Sequence, residues 1–444
     1  MPYCKIPGTT SRYALLGFDR KGREVDDDPH GVDGLMSEEL LRGVRQDPPR
    51  SIFLFSHGWK GDVPAAVDQY NRWIKALIER SPAPEPEHAL YIGLHWPSLP
   101  WGDDELASAG SFEAGLGVGL ELLKQRDVER LEDDERIRSA LDVIFEEARA
   151  NAAAMTLDPL AAKAYMRLNE ALELGAEGAA AAPGDDRERF DPEQSFQLAQ
   201  AAAGGAGFGG FDVGGVLGPL RQLSFWTMKK RARIIGESGM YDFIAQIQRA
   251  CPAHIHLMGH SFGCIVVSSV LGGRDGRGTL PRAVASVVLV QGALSLWAYA
   301  SAIPKAAGHP GYFRGVIERG IVKGPIVTTR SSFDRAVGMF YPLAAGVADQ
   351  FDFGATSEEL PLYGGIGTFG ICGVANAENG KLLDQTGAYD FKPGMVYNLD
   401  GSRFIRKGDG ASGAHSDIDG PEIANAIRQA AGAGALATAE RKNI

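Results

Sequence analysis

The chain contains few cysteines, and none of them is spaced as in a metal or redox motif. Four cysteines stand at positions 4, 251, 264 and 372 of 444 residues. No C-x-x-C pair occurs, although that spacing is typical of zinc knuckles and of redox-active dithiols. The sequence therefore predicts neither a disulfide scaffold nor a cysteine-bound metal.

The chain also lacks an excess of basic residues. It has 45 Lys and Arg against 56 Asp and Glu, which gives a formal net charge of −11. A protein with this balance has no overall positive field that would attract nucleic acid or an anionic membrane. We therefore expect no nucleic-acid partner.

Long apolar segments are scarce as well. The first residues show no basic segment followed by an apolar one, so we predict no signal peptide and expect a cytoplasmic location, although export without a signal stays open. The uncharged stretch 283–304 passes the length test for a membrane span. Its β-branched run ends at Gln291-Gly292, which is more typical of a buried strand followed by a new element. We predict no transmembrane span.

Apolar runs of strand length alternate with segments of helical periodicity in two parts of the chain. The predicted strands are 12–18, 51–56, 89–95, 254–259, 284–290, 325–329 and 395–400. The predicted helices between and after them are 37–46, 64–80, 237–250, 262–272, a short one near 295–301, and 421–432. Unbroken apolar strands alternating with helices predict an α/β fold with a mostly parallel central sheet covered by helices on both faces.

The segment 97–236 interrupts this alternation. It contains no convincing strand, and its leucines and isoleucines recur at helical spacing among charged residues. A glycine-rich stretch at 203–218 and a basic helix at 225–235 complete it. We therefore predict a core of residues 1–96 and 237–444, with 97–236 as a mainly helical insertion before the helix that leads to the motif described next.

The sequence Gly259-His260-Ser261-Phe262-Gly263 follows a predicted apolar strand and precedes an apolar helix. This G-x-S-x-G pattern allows a sharp strand-to-helix turn, because glycines two residues before and after the serine let the strand and helix approach closely. The central residue of such a turn is strained, and its side chain stands at the carboxyl end of the sheet beside a helix N-terminus. Ser261 is therefore the candidate nucleophile.

The strand–GHSFG–helix unit resembles the nucleophile elbow of the α/β-hydrolase superfamily, and the flanking alternation extends the resemblance over 51–96 and 237–432. The resemblance implies a triad in the chain order Ser, acid, His. Only His309 and His415 follow Ser261.

His415 lies in a loop before the last predicted helix, and Asp334 follows the strand 325–329, so we favour these two residues as base and acid. Asp352 and Asp400 are reserves for the acid. His309 would have to use Asp275, which lies in the turn just after the nucleophile helix.

The same resemblance implies an oxyanion hole made of two backbone N–H groups. One belongs to Phe262, directly after the nucleophile. For the other we choose Trp59 in the SHGW sequence that ends the strand 51–56, with Gly58 allowing the turn and His57 bracing the loop.

Three other patterns in the sequence could indicate metal binding or a reactive thiol, but we interpret each of them as structural. His254, His256 and His260 alternate along one strand, but that strand is predicted to be central and covered, so we expect no metal site. Cys264 lies in the apolar helix after the elbow and is expected to be buried and inert. The sequence 417–420 (DIDG) lacks the remaining ligands of a calcium loop.

The resemblance implies a serine hydrolase that acts on carboxylic esters, with lipid or other acyl esters among the candidate substrates, and that needs no cofactor. A helical insertion with a glycine-rich hinge suggests a lid over an apolar site, as in lipase-like members, or a docking surface for a protein or membrane surface. Phospholipase, thioesterase and peptidase activities remain open, as does a catalytically silent member of the fold that binds a ligand.

Overall fold

The protein is described here from a computed structural model. The structure describes residues 3–26, 34–59, 62–79, 88–99, 124–125, 127, 134–151, 154–205, 214–334, 359–408 and 413–439. The chain divides into two compact units, of which the first comprises Met1–Ser98, Ala179–Pro183 and Arg231–Ile444, and the second Leu99–Gly178 and Gly184–Lys230. No feature of the sequence indicated that residues 179–183 belong to the first unit.

A nine-stranded sheet forms the centre of the first unit, in the order β1-β2-β4-β3-β5-β6-β7-β9-β8. The strands are β1 (Tyr3–Lys5), β2 (Arg12–Gly17), β3 (Ser51–Ser56), β4 (Ala89–His95), β5 (His254–His260), β6 (Ser286–Val290), β7 (Ile326–Arg330), β8 (Ala377–Lys381) and β9 (Val396–Asp400). The pair β1–β2 is antiparallel, and the remaining neighbours are parallel. The predicted α/β class is thus confirmed.

Helices cover both faces of this sheet. Those of the first unit are α1 (Met36–Gln46), α2 (Val63–Glu79), α7 (Tyr241–Ala250), α8 (Gly263–Gly272), α9 (Arg314–Glu318), α10 (Ile366–Phe369) and α11 (Pro421–Ala439). Helices α2 and α11 pack on each other on one face, whereas α8 packs against β3 and β5 on the other, with α7 beside it. The strands between them are buried on both faces, which explains their unbroken apolar sequences.

A buried apolar cluster lies between the sheet and the pair α2 and α11. Helix α2 places Tyr70, Trp73 and Ile74 at helical spacing on its inner face, and all three are fully buried. They meet alternate residues of the strands, such as Phe53 and Phe55 of β3. Fully burying one such side chain contributes about 1.5–3 kcal/mol, so this layer holds the carboxyl ends of the strands in fixed positions.

The described residues of the second unit form helices and no strand. These helices are α3 (Glu135–Ala150), α4 (Pro159–Ala171), α5 (Pro192–Gly205) and α6, which spans Gly214–Ile235 and so ends within the first unit. Asp134 and Asp158 cap α3 and α4 by accepting from the backbone N–H groups of Arg136 and Leu160.

A buried ion pair lies in the interior of this unit, where Lys229 Nζ is 2.6 Å from Asp186 Oδ2. Removing one partner of such a pair is strongly destabilising, because it leaves a buried charge unpaired.

The predicted secondary structure differs from the observed one at several places, three of which have a clear physical reason. Residues 295–301 form turns rather than a helix, because their backbone bonds go to another segment: Leu296 N donates to Gly364 O. Strand β8 was missed because its sequence AENGK is polar and lies at the edge of the sheet. Helix α11 runs to Ala439 instead of ending at 432, with Gly434 and Ala437 of its tail buried.

The uncharged stretch 283–304 contains β6 and the turns that follow it. Within the ranges that the structure describes, no helix has both the length and the apolarity needed to cross a membrane.

Candidate active site

Ser261 stands in a strained turn between β5 and α8. Its φ is +54°, in the left-handed region that non-glycine residues rarely adopt. A Cβ atom at Gly259 would lie 2.5 Å from Gly263 O, and one at Gly263 would lie 2.1 Å from Ser56 O. Because those neighbours are backbone atoms that cannot move aside, both glycines are required for this close approach. The predicted elbow geometry is therefore present.

Backbone hydrogen bonds hold the elbow against the neighbouring strand. Ser261 N donates to Val290 O over 3.1 Å, and Ala293 N donates to Ser261 O over 3.2 Å. Val290 is the last residue of β6, and Ala293 follows it closely. The strained residue is therefore held by hydrogen bonds to the strand next to β5.

The side chains of Ser261, His415 and Asp334 form a continuous hydrogen-bonded row. His415 Nε2 is 2.7 Å from Ser261 Oγ, and His415 Nδ1 is 2.9 Å from Asp334 Oδ2. A carboxylate only accepts, so Nδ1 carries the proton and the Nε2 lone pair faces the serine hydroxyl. This tautomer allows the imidazole to take the serine proton.

The loops that carry the acid and the base pair with each other directly. Asp334 forms an isolated antiparallel bridge with Gly413, and Ala414 N donates to Phe333 O over 2.9 Å. Residues 81 positions apart in the chain are thereby brought to the same edge of the sheet. The carboxylate of Asp334 is fully buried and the imidazole nearly so.

Gln291 is a member of this site that the sequence reasoning did not identify. Its Nε2 donates to Asp334 Oδ2 over 3.0 Å, and its own backbone N–H donates to Thr329 Oγ1 over 3.2 Å. Gln291 is fully buried and has a φ of +48°. The sequence did contain a signal for this residue. Gln291 is the first polar residue after β6, which lies next to β5. The carboxyl ends of parallel strands lie at one edge of the sheet, so Gln291 could have been placed near Ser261.

The loop after β3 lies against the elbow. A Cβ atom at Gly58 would be 2.6 Å from Ser261 Cβ, so only glycine allows the loop to come this close. The ring of Trp59 meets that of Phe262 edge to face at 5.7 Å. The two residues chosen as oxyanion donors are thus in contact with each other, and Gly58 lies against the candidate nucleophile Ser261.

His57 fixes the orientation of the loop through its own ring. Its Nδ1 lies 2.8 Å from Gly58 O, and because a carbonyl only accepts, Nδ1 is the protonated nitrogen. The N–H of Trp59 belongs to the same peptide plane as that carbonyl and points the opposite way. Holding the Gly58 carbonyl therefore sets the direction of the predicted oxyanion donor.

The surroundings of His57 keep it neutral. The ring stacks on Trp96 with centroids 5.5 Å apart, and Trp96 N donates to its Nε2 over 3.3 Å. Burial, with a smaller effect of nearby His95, lowers the pKa of His57 to about 3. A neutral ring with one donor and one acceptor is what the bracing role needs.

The alternative triad members lie elsewhere or have other partners. His309 is exposed in a turn, and Asp275 is exposed in a short 3₁₀ turn after α8. Asp400 Oδ1 accepts from the backbone N–H and the hydroxyl of Ser402. Asp352 lies outside the described residues.

The remaining histidines of β5 each have a separate partner. His254 Nδ1 lies 2.6 Å from Thr438 Oγ1, and His256 Nδ1 lies 2.9 Å from Ser286 Oγ. Across the described ranges, no group of three His, Cys, Asp or Glu side chains is placed to hold a metal ion. Asp417, from the DIDG sequence, accepts through Oδ2 from the backbone N–H groups of Arg406 and Lys407.

Cys264 is buried in the first turn of α8. Its thiol donates to Gly259 O over 3.2 Å, and burial raises its pKa well above the ordinary value. A thiol of this kind is a poor nucleophile, as predicted from its apolar helix.

No protein-family model, curated protein or solved structure matches this chain.

Proposed function

We propose that this protein is a serine hydrolase of the α/β-hydrolase superfamily that cleaves carboxylic esters through an acyl-enzyme intermediate. One observation carries the proposal: a single imidazole ring bonds Ser261 through Nε2 and the buried carboxylate of Asp334 through Nδ1. This is the arrangement that activates a serine hydroxyl at neutral pH. The strained elbow and the loop of Gly58 and Trp59 support it.

The first half-reaction follows from these positions. Ser261 Oγ attacks the ester carbonyl carbon while His415 Nε2 takes its proton. The resulting oxyanion accepts hydrogen bonds from the backbone N–H groups of Phe262 and Trp59. The tetrahedral intermediate then expels the alkoxide, which receives the proton from His415, and the acyl group remains on Ser261.

The second half-reaction releases the acid. His415 takes a proton from water, the water oxygen attacks the acyl carbon, and Ser261 leaves with the proton returned by the imidazole. In both halves a positive imidazolium forms beside Asp334, whose carboxylate stabilises it and keeps the ring in the required tautomer. Gln291 holds the same carboxylate oxygen in place.

The substrate is proposed as an acyl ester, with the helical insertion 97–236 acting as a lid. The support for this part is the helical content of the described residues of the second unit. Helical insertions of this kind act as lids in lipase-like enzymes, where they exclude water and open for substrate entry. A catalytically silent binding protein is the rival, but a row of three correctly spaced triad groups favours the enzyme.

Labelling by a fluorophosphonate probe tests the proposal. Wild-type protein is expected to react covalently, and Ser261→Ala is expected not to. Ser269→Ala is the matched control, because this buried serine lies on the adjoining helix α8 outside the triad row and should leave labelling intact. Folded wild-type protein that never reacts would overturn the proposal in favour of the silent binding protein.

A substrate series then separates the kinds of hydrolase. p-Nitrophenyl esters from acetate to palmitate, the matching thioesters and peptide p-nitroanilides would be compared by kcat/KM. We expect the oxygen esters to be preferred, with a dependence on chain length that reports the apolar site. A clear preference for thioesters or anilides would redirect the assignment to a thioesterase or a peptidase on the same triad.

A further inference from the structure

We propose that His260, the residue before Ser261, is a positioning residue that fixes the general-base histidine through its backbone. The inference rests on the proposed hydrolase function. His260 Nε2 lies 2.9 Å from the backbone oxygen of His415, and the two ring centroids are 5.0 Å apart. The elbow therefore carries two neighbouring contacts to His415, one from Ser261 to its ring and one from His260 to its main chain.

The hydrogen-bond partners define the tautomer of His260. The carbonyl of His415 can only accept, so His260 Nε2 must carry a proton. The other nitrogen, Nδ1, lies 3.3 Å from the amide Nε2 of Gln69 on α2. An amide nitrogen only donates, so Nδ1 is the acceptor and the ring is neutral with its single proton directed at His415.

Burial keeps His260 in that neutral form. The side chain is 5% exposed, and burial, with smaller effects of His415 and His57, lowers the pKa of His260 to about 3. His260 therefore does not compete with His415 for the serine proton. A neutral donor also places no second full positive charge beside the imidazolium that forms during acyl transfer.

The ring of His260 also touches the loop of the predicted oxyanion hole. A Cβ atom at Gly58 would lie 3.2 Å from His260 Nδ1, so the ring fills the space that the missing side chain leaves. His260 thus contacts Gly58 on one side and the main chain of His415 on another. The ring of His260 therefore links the positions of the two loops.

Helix α2 supports the same loop at a second point. Arg72 Nε donates to Asp419 Oδ2 over 2.6 Å, four residues beyond His415. This second contact is exposed and worth little by itself. The contact from the buried ring of His260 is therefore the stronger of these two, and it acts together with the pairing of Ala414 and Phe333 to place the imidazole relative to Ser261.

Two amide substitutions distinguish this role from simple packing. The amide nitrogen of His260→Gln reaches the place of Nε2 and can donate to His415 O, whereas that of His260→Asn reaches only the place of Nδ1. We expect His260→Gln to react with the fluorophosphonate at close to the wild-type rate. We expect His260→Asn to react roughly 10- to 100-fold more slowly, with kcat falling and KM nearly unchanged, because the base is misplaced by a fraction of an ångström or more.

Controls separate loss of positioning from loss of folding and from failure of the proposed function. Rates are normalised to folded protein by thermal unfolding, and His256→Gln provides a buried histidine of the same strand that should change stability but not the rate. Wild-type labelling that Ser261→Ala abolishes establishes the function first. If His260→Gln and His260→Asn then react equally, the positioning role is wrong.

Two further measurements decide the matter if the His260 variants do not fold or if the wild type does not react. Gln69→Leu removes the donor to Nδ1 from a half-buried surface position, and a rate equal to wild type would contradict the proposal. Histidine ¹⁵N NMR at about pH 5 should show His260 as the neutral Nε2–H tautomer with a hydrogen-bond coupling to the His415 carbonyl. An Nδ1–H tautomer or an imidazolium would overturn it without any measurement of activity.

Discussion

Gln291 Nε2 donates to Asp334 Oδ2, the same carboxylate oxygen that His415 Nδ1 reaches. The acid of the candidate triad is therefore held by a fully buried amide that comes from a different strand end. Gln291 itself sits at a φ of +48°, which its backbone bond to Thr329 helps to maintain. The carboxylate is thus positioned by the sheet rather than by its own loop alone.

The substitution Gln291→Leu tests this relationship. It keeps the side-chain volume but leaves the buried oxygen of Asp334 with one donor fewer, so we expect labelling of Ser261 to slow by about tenfold and stability to fall by about 1–3 kcal/mol. The measurements are the rate of fluorophosphonate labelling and urea unfolding.

Gln248→Leu is the matched control, because Gln248 is also buried and bonded to the main chain at Arg282, but on α7. It should lose stability without losing rate. Equal rates for Gln291→Leu and wild type would show that the amide serves packing only.

His57→Phe separates the two functions of the His57 ring. Phenylalanine keeps the stacking on Trp96 but loses the donor to Gly58 O and the acceptor for Trp96 N. Since the direction of the Trp59 N–H depends on that carbonyl, we expect kcat to fall by roughly 10²-fold, the cost of losing one oxyanion donor, with a small change in KM.

His256→Phe makes the same chemical change at an equally buried histidine that stacks on Phe53. We expect it to reduce the free energy of unfolding and to leave kcat per folded molecule unchanged. If both variants lost activity to the same extent, the effect of His57 would be one of folding and not of loop orientation.

The sequence was sufficient for the strands that are buried on both faces and for the elbow. Their signals are local: apolar runs for β3 and β6, and two glycines at fixed distances from Ser261. Local patterns also placed Asp334 and His415 at strand and helix ends, where the structure joins them. Only the order of residues along the chain, implied by the resemblance, connected the two before their distance was known.

The sequence could not predict the hydrogen-bond partners that are determined by tertiary contacts. The segment 295–301 looks helical, yet its backbone bonds to residues 364–372, a segment distant in the chain. Gln291 and His260 act through side-chain bonds to residues 43 and 155 positions away. The periodicity of the sequence carries no information on such pairs, so they can be identified only from the three-dimensional structure.

Alanine substitutions at Gly263 of the elbow and at Gly58 of the loop after β3 are expected to have different effects. In Gly263→Ala the new Cβ would lie 2.1 Å from Ser56 O, and in Gly58→Ala it would lie 2.6 Å from Ser261 Cβ. The first contact is with backbone, so we expect loss of folding, or of several kcal/mol of stability as in overpacked cores. The second displaces the nucleophile, so we expect loss of labelling with a smaller loss of stability.

Gly432→Ala on α11 is the control, because nothing lies within 4 Å of its new Cβ. Alanine in a helix is favoured over glycine, so this variant should gain about 0.5–1 kcal/mol. Thermal unfolding and labelling of all three variants check the series. A Gly58→Ala protein that reacts at the wild-type rate would contradict the close contact between the loop and Ser261.

Stability should fall as the pH falls below about 6.5, because three histidines are neutral in the folded protein. Burial is the largest cause that lowers the pKa of His57, His256 and His260 to about 3 in each case. The unfolded chain binds a proton at each of them near pH 6.5 and the folded chain does not, so each lowers the free energy of unfolding between about pH 6.5 and 3. Half-buried Glu24 and buried Glu237, whose pKa values are raised by burial, act in the opposite direction.

His256→Phe isolates one of these contributions without touching the candidate site. For a group with a pKa of about 6.5 unfolded and about 3 folded, the free energy of unfolding changes by about 1.4 kcal/mol between pH 7.5 and 5.5. Urea unfolding at both pH values should therefore show a smaller decrease for His256→Phe than for wild type, by about that amount. An unchanged decrease would mean that His256 is protonated in the folded protein, and its bond to Ser286 would then have to be assigned with the ring as an imidazolium.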